Sequence, residues 1–205
     1  MIARLRIKQY FSCSINGSAR LKSFFRQRMD QLVENHQRID SKIENFERLD
    51  DLSKATFYSS WKFAVVHVLI SVPHAQQLDF IKEKTRLSEK EILSIMDFLK
   101  KVGLIEKKAG RWVATKRRIH LSPEEALIGT HHKNFRSLTL NELEDSKRNS
   151  LHYSSAMALS REDILKVKQV LLETIAKTEN ILTPSPEEAV HIFCIDFYEP
   201  GHQHS

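Results

Sequence analysis

The chain has 205 residues, 41% of them hydrophobic and 28% charged, with a formal net charge of +6 and a pI of about 9.3. That length holds one large domain or two small ones, and that composition is ordinary for a soluble globular protein. Two cysteines, Cys13 and Cys194, are too few for a disulfide framework, and Cys194 lies in an apolar run where a reduced, buried thiol is expected.

The basic excess permits nucleic-acid binding without requiring it. Its distribution is more informative, because Lys107, Lys108, Arg111, Lys116, Arg117 and Arg118 cluster with only Glu106 opposing them locally. No apolar run has the length of a membrane span. The best candidate, 63–72, contains His67 and stops at Pro73, so it reads as a core helix. Arg4, Arg6 and Lys8 are not followed by the apolar region and cleavage site of a secretory signal, and a cytoplasmic location is expected.

Residues 1–20 have no hydrophobic period and are read as loosely attached. From Leu21 a long helix is expected. Phe25, Leu32, Ile39 and Phe46 recur every seven residues, and Met29, His36 and Ile43 follow the first three at a spacing of four. This stripe is either a helix packed on its own chain or a coiled-coil seam between two copies, for which Phe25, Met29, Leu32, Ile39, Ile43 and Phe46 are the candidate residues. His36 and Asp50 at inward positions weaken a seam and favour the first reading. After a break at 50–53, Phe57-Tyr58-Ser59-Ser60-Trp61 leads into a helix whose expected buried face is Trp61, Val65, Val68 and Leu69.

The most specific pattern runs from Gln76 to Thr115. A short helix turns Leu78, Phe80 and Ile81 inward. After a turn at Leu87-Ser88, Ser88 caps a second helix starting at Glu89, and Glu91 completes a capping box. Ile92, Ile95, Met96, Leu99 and Val102 form one apolar stripe on it, and Gly103 stops it where a left-handed residue is easiest. Leu104-Ile105 and Trp112-Val113 then flank the polar stretch 106–111, which predicts a β-hairpin with a loop longer than two residues. A helix pair followed by a basic hairpin is the pattern of a winged helix-turn-helix.

Further on, Ser122-Pro123-Glu124-Glu125 is a helix start, and the helix is expected to reach about Lys147 with Ala126, Leu127, Phe135, Leu138 and Leu143 among His131, His132, Lys133 and Arg136. Ser160 caps another helix, from Arg161 to about Asn180, striped by Ile164, Val167, Leu171 and Ile175. Residues 152–159 before it and 190–198 after it are β-compatible, which predicts a β-α-β unit. Two strands alone are marginal, so these are expected to extend a sheet made elsewhere or across a dimer.

The Phe57–Trp61 run, the junction Leu99-Lys100-Lys101-Val102-Gly103-Leu104-Ile105, the helix from Ala126 to Leu143 and the closing strand together resemble a bacterial family of uncharacterised proteins, many from Bdellovibrio and its relatives, labelled as probable transcriptional regulators. The similarity covers about residues 55 to 200. It implies a winged-helix fold and a regulatory role. Members of that family carry a separate N-terminal helix-turn-helix domain ahead of the shared region, whereas here about fifty residues precede it.

The expected fold is therefore α+β and mostly helical: a mobile N-terminus and connector helix over 1–54, a winged-helix domain over 55–120, a helix plus β-α-β unit over 121–200, and a tail over 201–205. The expected function is transcriptional regulation by DNA binding. Candidate DNA contacts are Lys90, Ser94 and Lys101 on the second helix, Lys107, Lys108 and Arg111 on the hairpin, and Lys116, Arg117 and Arg118 beyond it. Glu91 and Asp97 oppose this reading, and no Arg, Asn or Gln stands on that helix to make the common bidentate base contacts. The alternative is a protein-interaction or dimerisation module that keeps the fold without reading DNA.

Enzyme chemistry is not expected, because no phosphate-binding glycine loop, GxSxG or HExxH is present. No cofactor or metal is expected either. Adjacent His131 and His132 point about 100° apart on a helix, His202 and His204 lie in a polar tail, and His67, Trp61 and Trp112 are read as core residues.

Overall fold

Ser60 caps a helix that has almost no solvent face, and the other elements of its unit are laid around it. The computed structural model describes residues 49–73, 75, 77–115, 127–143 and 150–201. The heptad stripe from Phe25 to Phe46, the Lys116-Arg117-Arg118 run and the helix start at Ser122 lie outside these residues.

Within them there are six helices and one two-stranded antiparallel sheet. In chain order they are α1 (Asp51–Tyr58), α2 (Trp61–Ile70), α3 (Leu78–Thr85), α4 (Glu89–Lys101), β1 (Ile105–Lys108), β2 (Arg111–Ala114), α5 (Leu127–Leu143) and α6 (Arg161–Leu182). The mostly helical α+β composition is as expected. The chain divides into two units. Among the described residues the first holds 49–143 and Glu187–Ile192, and the second holds 150–186 and 193–201.

In the first unit, Asp50 accepts from Ser53 N at 2.9 Å to start α1, and Ser60 accepts from Lys62 N at 3.3 Å to start α2. The expected buried stripe of α2 was too narrow. Ala64, Val65, Val66, His67, Leu69 and Ile70 are all buried, as befits a helix wrapped by its neighbours, while Val68 and Trp61 are half-buried. Helices α1, α3, α4 and α5 and strand β2 all contact α2. Phe63 on α2 meets Phe98 on α4 edge-on, with centroids 5.1 Å apart.

The α3–α4 connection is three residues long. Thr85 Oγ1 donates to Ile81 O at 2.6 Å and Arg86 takes the left-handed conformation, φ 57°, that ends α3. Ser88 and Glu91 form the expected capping box. At the other end of α4, Gly103 (φ 72°) and Leu104 donate to the carbonyls of Lys100 and Leu99 at 3.0 and 2.9 Å. These two bonds make a Schellman motif, so the helix stop read at Gly103 holds.

The hairpin differs from expectation in its turn. Ile105 pairs with Ala114, Glu106 with Val113, Lys107 with Trp112 and Lys108 with Arg111, leaving only Ala109 and Gly110 between the strands. Both have positive φ, 48° and 80°, as a type I′ turn requires. Polar residues at 106–108 look like loop, but they are a strand in a ribbon with one face in water.

In the second unit, Ser160 caps α6 by accepting from Asp163 N at 3.1 Å. The β-α-β unit is not formed. Residues 151–159 and 190–198 carry no strand among the described residues. An extended segment becomes a strand only where an edge offers ladder hydrogen bonds. None is offered to 151–159 by the described residues, and the closing segment passes from the first unit to the second after Ile192. Cys194 is a free thiol, half-buried rather than buried.

Candidate nucleic-acid interface

Helix α4 separates its faces cleanly. Ile92, Ile95, Met96 and Leu99 are buried, and Glu89, Lys90, Leu93, Ser94, Asp97, Lys100 and Lys101 are exposed. Lys90, Ser94, Asp97 and Lys101 recur at spacings of three and four, so they form one outward line about 16 Å long at 1.5 Å per residue. Leu93, 48% exposed, lies beside Lys90 and Asp97 on this line and was not among the expected site residues. Lys90 and Lys101 make no ion pair with any described residue.

Glu91 is not a free charge on that surface. Lys62 Nζ donates to its Oε1 at 2.7 Å, and Ser88 N and Oγ donate to its Oε2 at 3.0 and 2.7 Å. Lys62 first, then the Ser88 side chain and backbone, hold its carboxyl down at a pKa of about 2. The carboxylate is thus occupied on both oxygens, and its charge is matched by a cation from α2. Lys62 is the residue that sequence reasoning missed. It stands 29 positions from Glu91, and no local pattern links them.

The hairpin divides its cations between two faces, because paired residues share a face and the pleat alternates. Ile105, Lys107, Trp112 and Ala114 lie on one face, the first of them fully buried. There the Lys107 ammonium sits 5.8 Å from the Trp112 ring centroid, and Trp112 packs on the core. Glu106, Lys108, Arg111 and Val113 lie on the other face. Lys108 and Arg111 are directly opposed like charges, an arrangement that costs stability in isolation. Glu106 offsets it by pairing with Lys108 at 2.7 Å. Arg111 has no ion-pair partner among the described residues, so one cation at the turn remains for an external anion.

The two buried histidines among the described residues are packed into the core. His67, 2% exposed, donates from Nε2 to Leu104 O at 3.2 Å, and burial lowers its pKa to about 4. His131, 4% exposed, meets the Tyr58 ring edge-on at 5.3 Å and Phe135 at 4.9 Å. Burial first, then the His132 and Arg136 charges, lower its pKa to about 4. Asn134 Nδ2 donates to Tyr58 O at 2.8 Å and docks α5 beside this aromatic group. No group of three or more His, Cys, Asp or Glu residues among those described is placed to hold a metal. No helix among them is long and apolar enough to cross a membrane.

The described candidate contacts Lys90, Ser94, Lys101, Lys107, Lys108 and Arg111 are therefore all exposed, on α4 and on the hairpin of one unit. Residues 34–199 match the profile of a family described as a domain of unknown function, DUF4423. No curated protein and no solved structure matches the chain.

Proposed function

This chain belongs to the DUF4423 family, and we propose that it is a bacterial transcriptional regulator whose winged helix binds duplex DNA, with α4 in the major groove and the β1–β2 hairpin on the phosphate backbone. The observation that carries this reading is the Lys62–Glu91 pair. It neutralises one of the two acidic residues that oppose DNA binding and leaves α4 to present Lys90, Leu93, Ser94, Lys100 and Lys101 against Glu89 and Asp97. Lys90 there and the lysines of the hairpin contact phosphates, which position the protein. Sequence reading falls to Ser94 and Lys101, with Leu93 for thymine methyl groups.

Fluorescence anisotropy against labelled duplexes at two salt concentrations tests the proposal. Fragment-selective binding that survives the higher salt supports it. Replacing Lys107, Lys108 and Arg111 together by alanine should lower the slope of log K against log salt by about 0.9 for each phosphate that is no longer neutralised, and an unchanged slope sinks the hairpin's assignment.

A protein-interaction module is the second reading. Asp97 on the outward line and the lack of Arg, Asn or Gln there favour it. Binding that is weak, equal for all duplexes and lost at the higher salt would select it.

A further inference from the structure

Residues 150–160 run without helix, turn or bend, and every one of them is exposed. Leu151 is 95% exposed, Tyr153 82% and Met157 52%, a concentration of bare apolar side chains that water does not favour. From 151 to 159 no backbone N–H or C=O hydrogen-bonds to another described residue. The segment is no loose tail, because it lies inside the region that the family profile matches.

Natural proteins blunt a bare edge of this kind with charges, proline or a bulge. None of these is present. From Asn149 to Ser160 there is no charged residue, no proline and no glycine, in a chain 28% charged. The apolar residues alternate, Leu151, Tyr153, Met157 and Leu159, so an extended backbone puts them on one face.

They are also placed symmetrically about Ser155. An antiparallel pairing with an identical segment, with the two-fold axis at Ser155, sets Leu151 opposite Leu159 and Tyr153 opposite Met157 on one face. His152 then opposes Ala158 and Ser154 opposes Ala156 on the other. Every large apolar side chain meets another, and no like charges meet. A partner of different sequence would not need this symmetry, and a two-fold interface does.

We propose that Leu151–Leu159 is a dimerisation strand, pairing antiparallel with the same segment of a second copy of this chain. Pairing supplies the absent ladder hydrogen bonds and sets the two exposed apolar rows side by side, each large side chain against another. The proposal does not depend on DNA binding.

Sedimentation equilibrium of the full chain tests it, with far-UV circular dichroism as a check that the helices are intact. The wild type should be a dimer. Tyr153→Lys with Met157→Lys brings lysines face to face twice across the axis and should give a monomer. Tyr153→Lys with Met157→Glu brings opposite charges together in the same register and should restore the dimer. In a chain carrying Cys13→Ser and Cys194→Ser, Ser155→Cys should oxidise to a disulfide-linked dimer, because directly opposed strand residues have Cα atoms about 4.5 to 5.5 Å apart, within disulfide reach. A wild type that stays monomeric at high micromolar concentration overturns the proposal. So does a dimer on which the two double variants act alike.

Discussion

His67 Nε2 donates to the carbonyl oxygen of Leu104 at 3.2 Å, tying the middle of α2 to the residue that leads from α4 into β1. That bond requires the neutral imidazole to carry its proton on Nε2. A second proton would charge a ring that is almost wholly out of water.

The consequence is acid sensitivity. The unfolded chain takes up a proton at His67 near pH 6.5, and the folded chain only near pH 4. Between those values the unfolded state binds more protons, so stability is full above about pH 6.5 and falls as the pH drops towards 4. At pH 5 the loss from His67 should be about 2 kcal/mol. His131, shifted the same way, adds to it. Denaturant unfolding at pH 7.5 and pH 5 measures the difference, and His67→Gln should reduce it. Equal stability at the two pH values would refute this account.

Ala109 holds φ 48° in a turn that requires left-handed backbone at two successive residues. A Cβ in that conformation costs about 1 to 2 kcal/mol. Ala109→Asn, which tolerates it, should raise the stability of the first unit by about 1 kcal/mol, and Ala109→Val should lower it. Thermal unfolding of the two variants checks the sign of each.

Ser88 is bonded to Glu91 in both directions. Ser88→Ala removes the cap and one of the three hydrogen bonds to Glu91, and should cost about 1 kcal/mol. Ser88→Asp restores an acceptor for the Glu91 N–H but sets a carboxylate beside the Glu91 side chain, so it should recover only part of that loss. Full recovery would mean that the cap acts through its acceptor for the Glu91 N–H and that the side-chain bond to Glu91 adds nothing.

The Lys62–Glu91 pair makes an opposed prediction for duplex affinity. Lys62→Met leaves the Glu91 carboxylate uncompensated beside α4 and should weaken binding severalfold. Glu91→Gln keeps a capping side chain and releases the lysine, and should strengthen it. Anisotropy titrations that move both variants in one direction would show that this charge does not bear on the duplex.

The sequence was most legible where structure is decided within a few residues. The ends of α4 follow from Ser88, Glu91 and Gly103, each acting on backbone groups no more than a turn away. The hairpin turn was misread because Glu106, Lys107 and Lys108 are polar for a reason composition does not give, a ribbon with a solvent face. The strands around α6 were misread because alternation describes what a strand would bury and not whether an edge is there to receive it. The run 63–72 was legible as a core helix, but how far its neighbours wrap α2 was not, so the expected face of Trp61, Val65, Val68 and Leu69 was too narrow. The pairing of Lys62 with Glu91 could be found only in three dimensions.

That enclosure of α2 separates two kinds of freedom in the first unit. The residues that hold it together point inward from α2, α4 and β1, whereas the exposed candidate contacts point outward from α4 and the hairpin, and Glu91, with its hold on Lys62, stands between the two sets. On α4 the side chains of Lys90, Leu93, Ser94 and Lys101 make no hydrogen bond or ion pair with another described residue, so each can be replaced at little cost to folding. On the proposed reading, a new duplex target would need changes at these few exposed positions only.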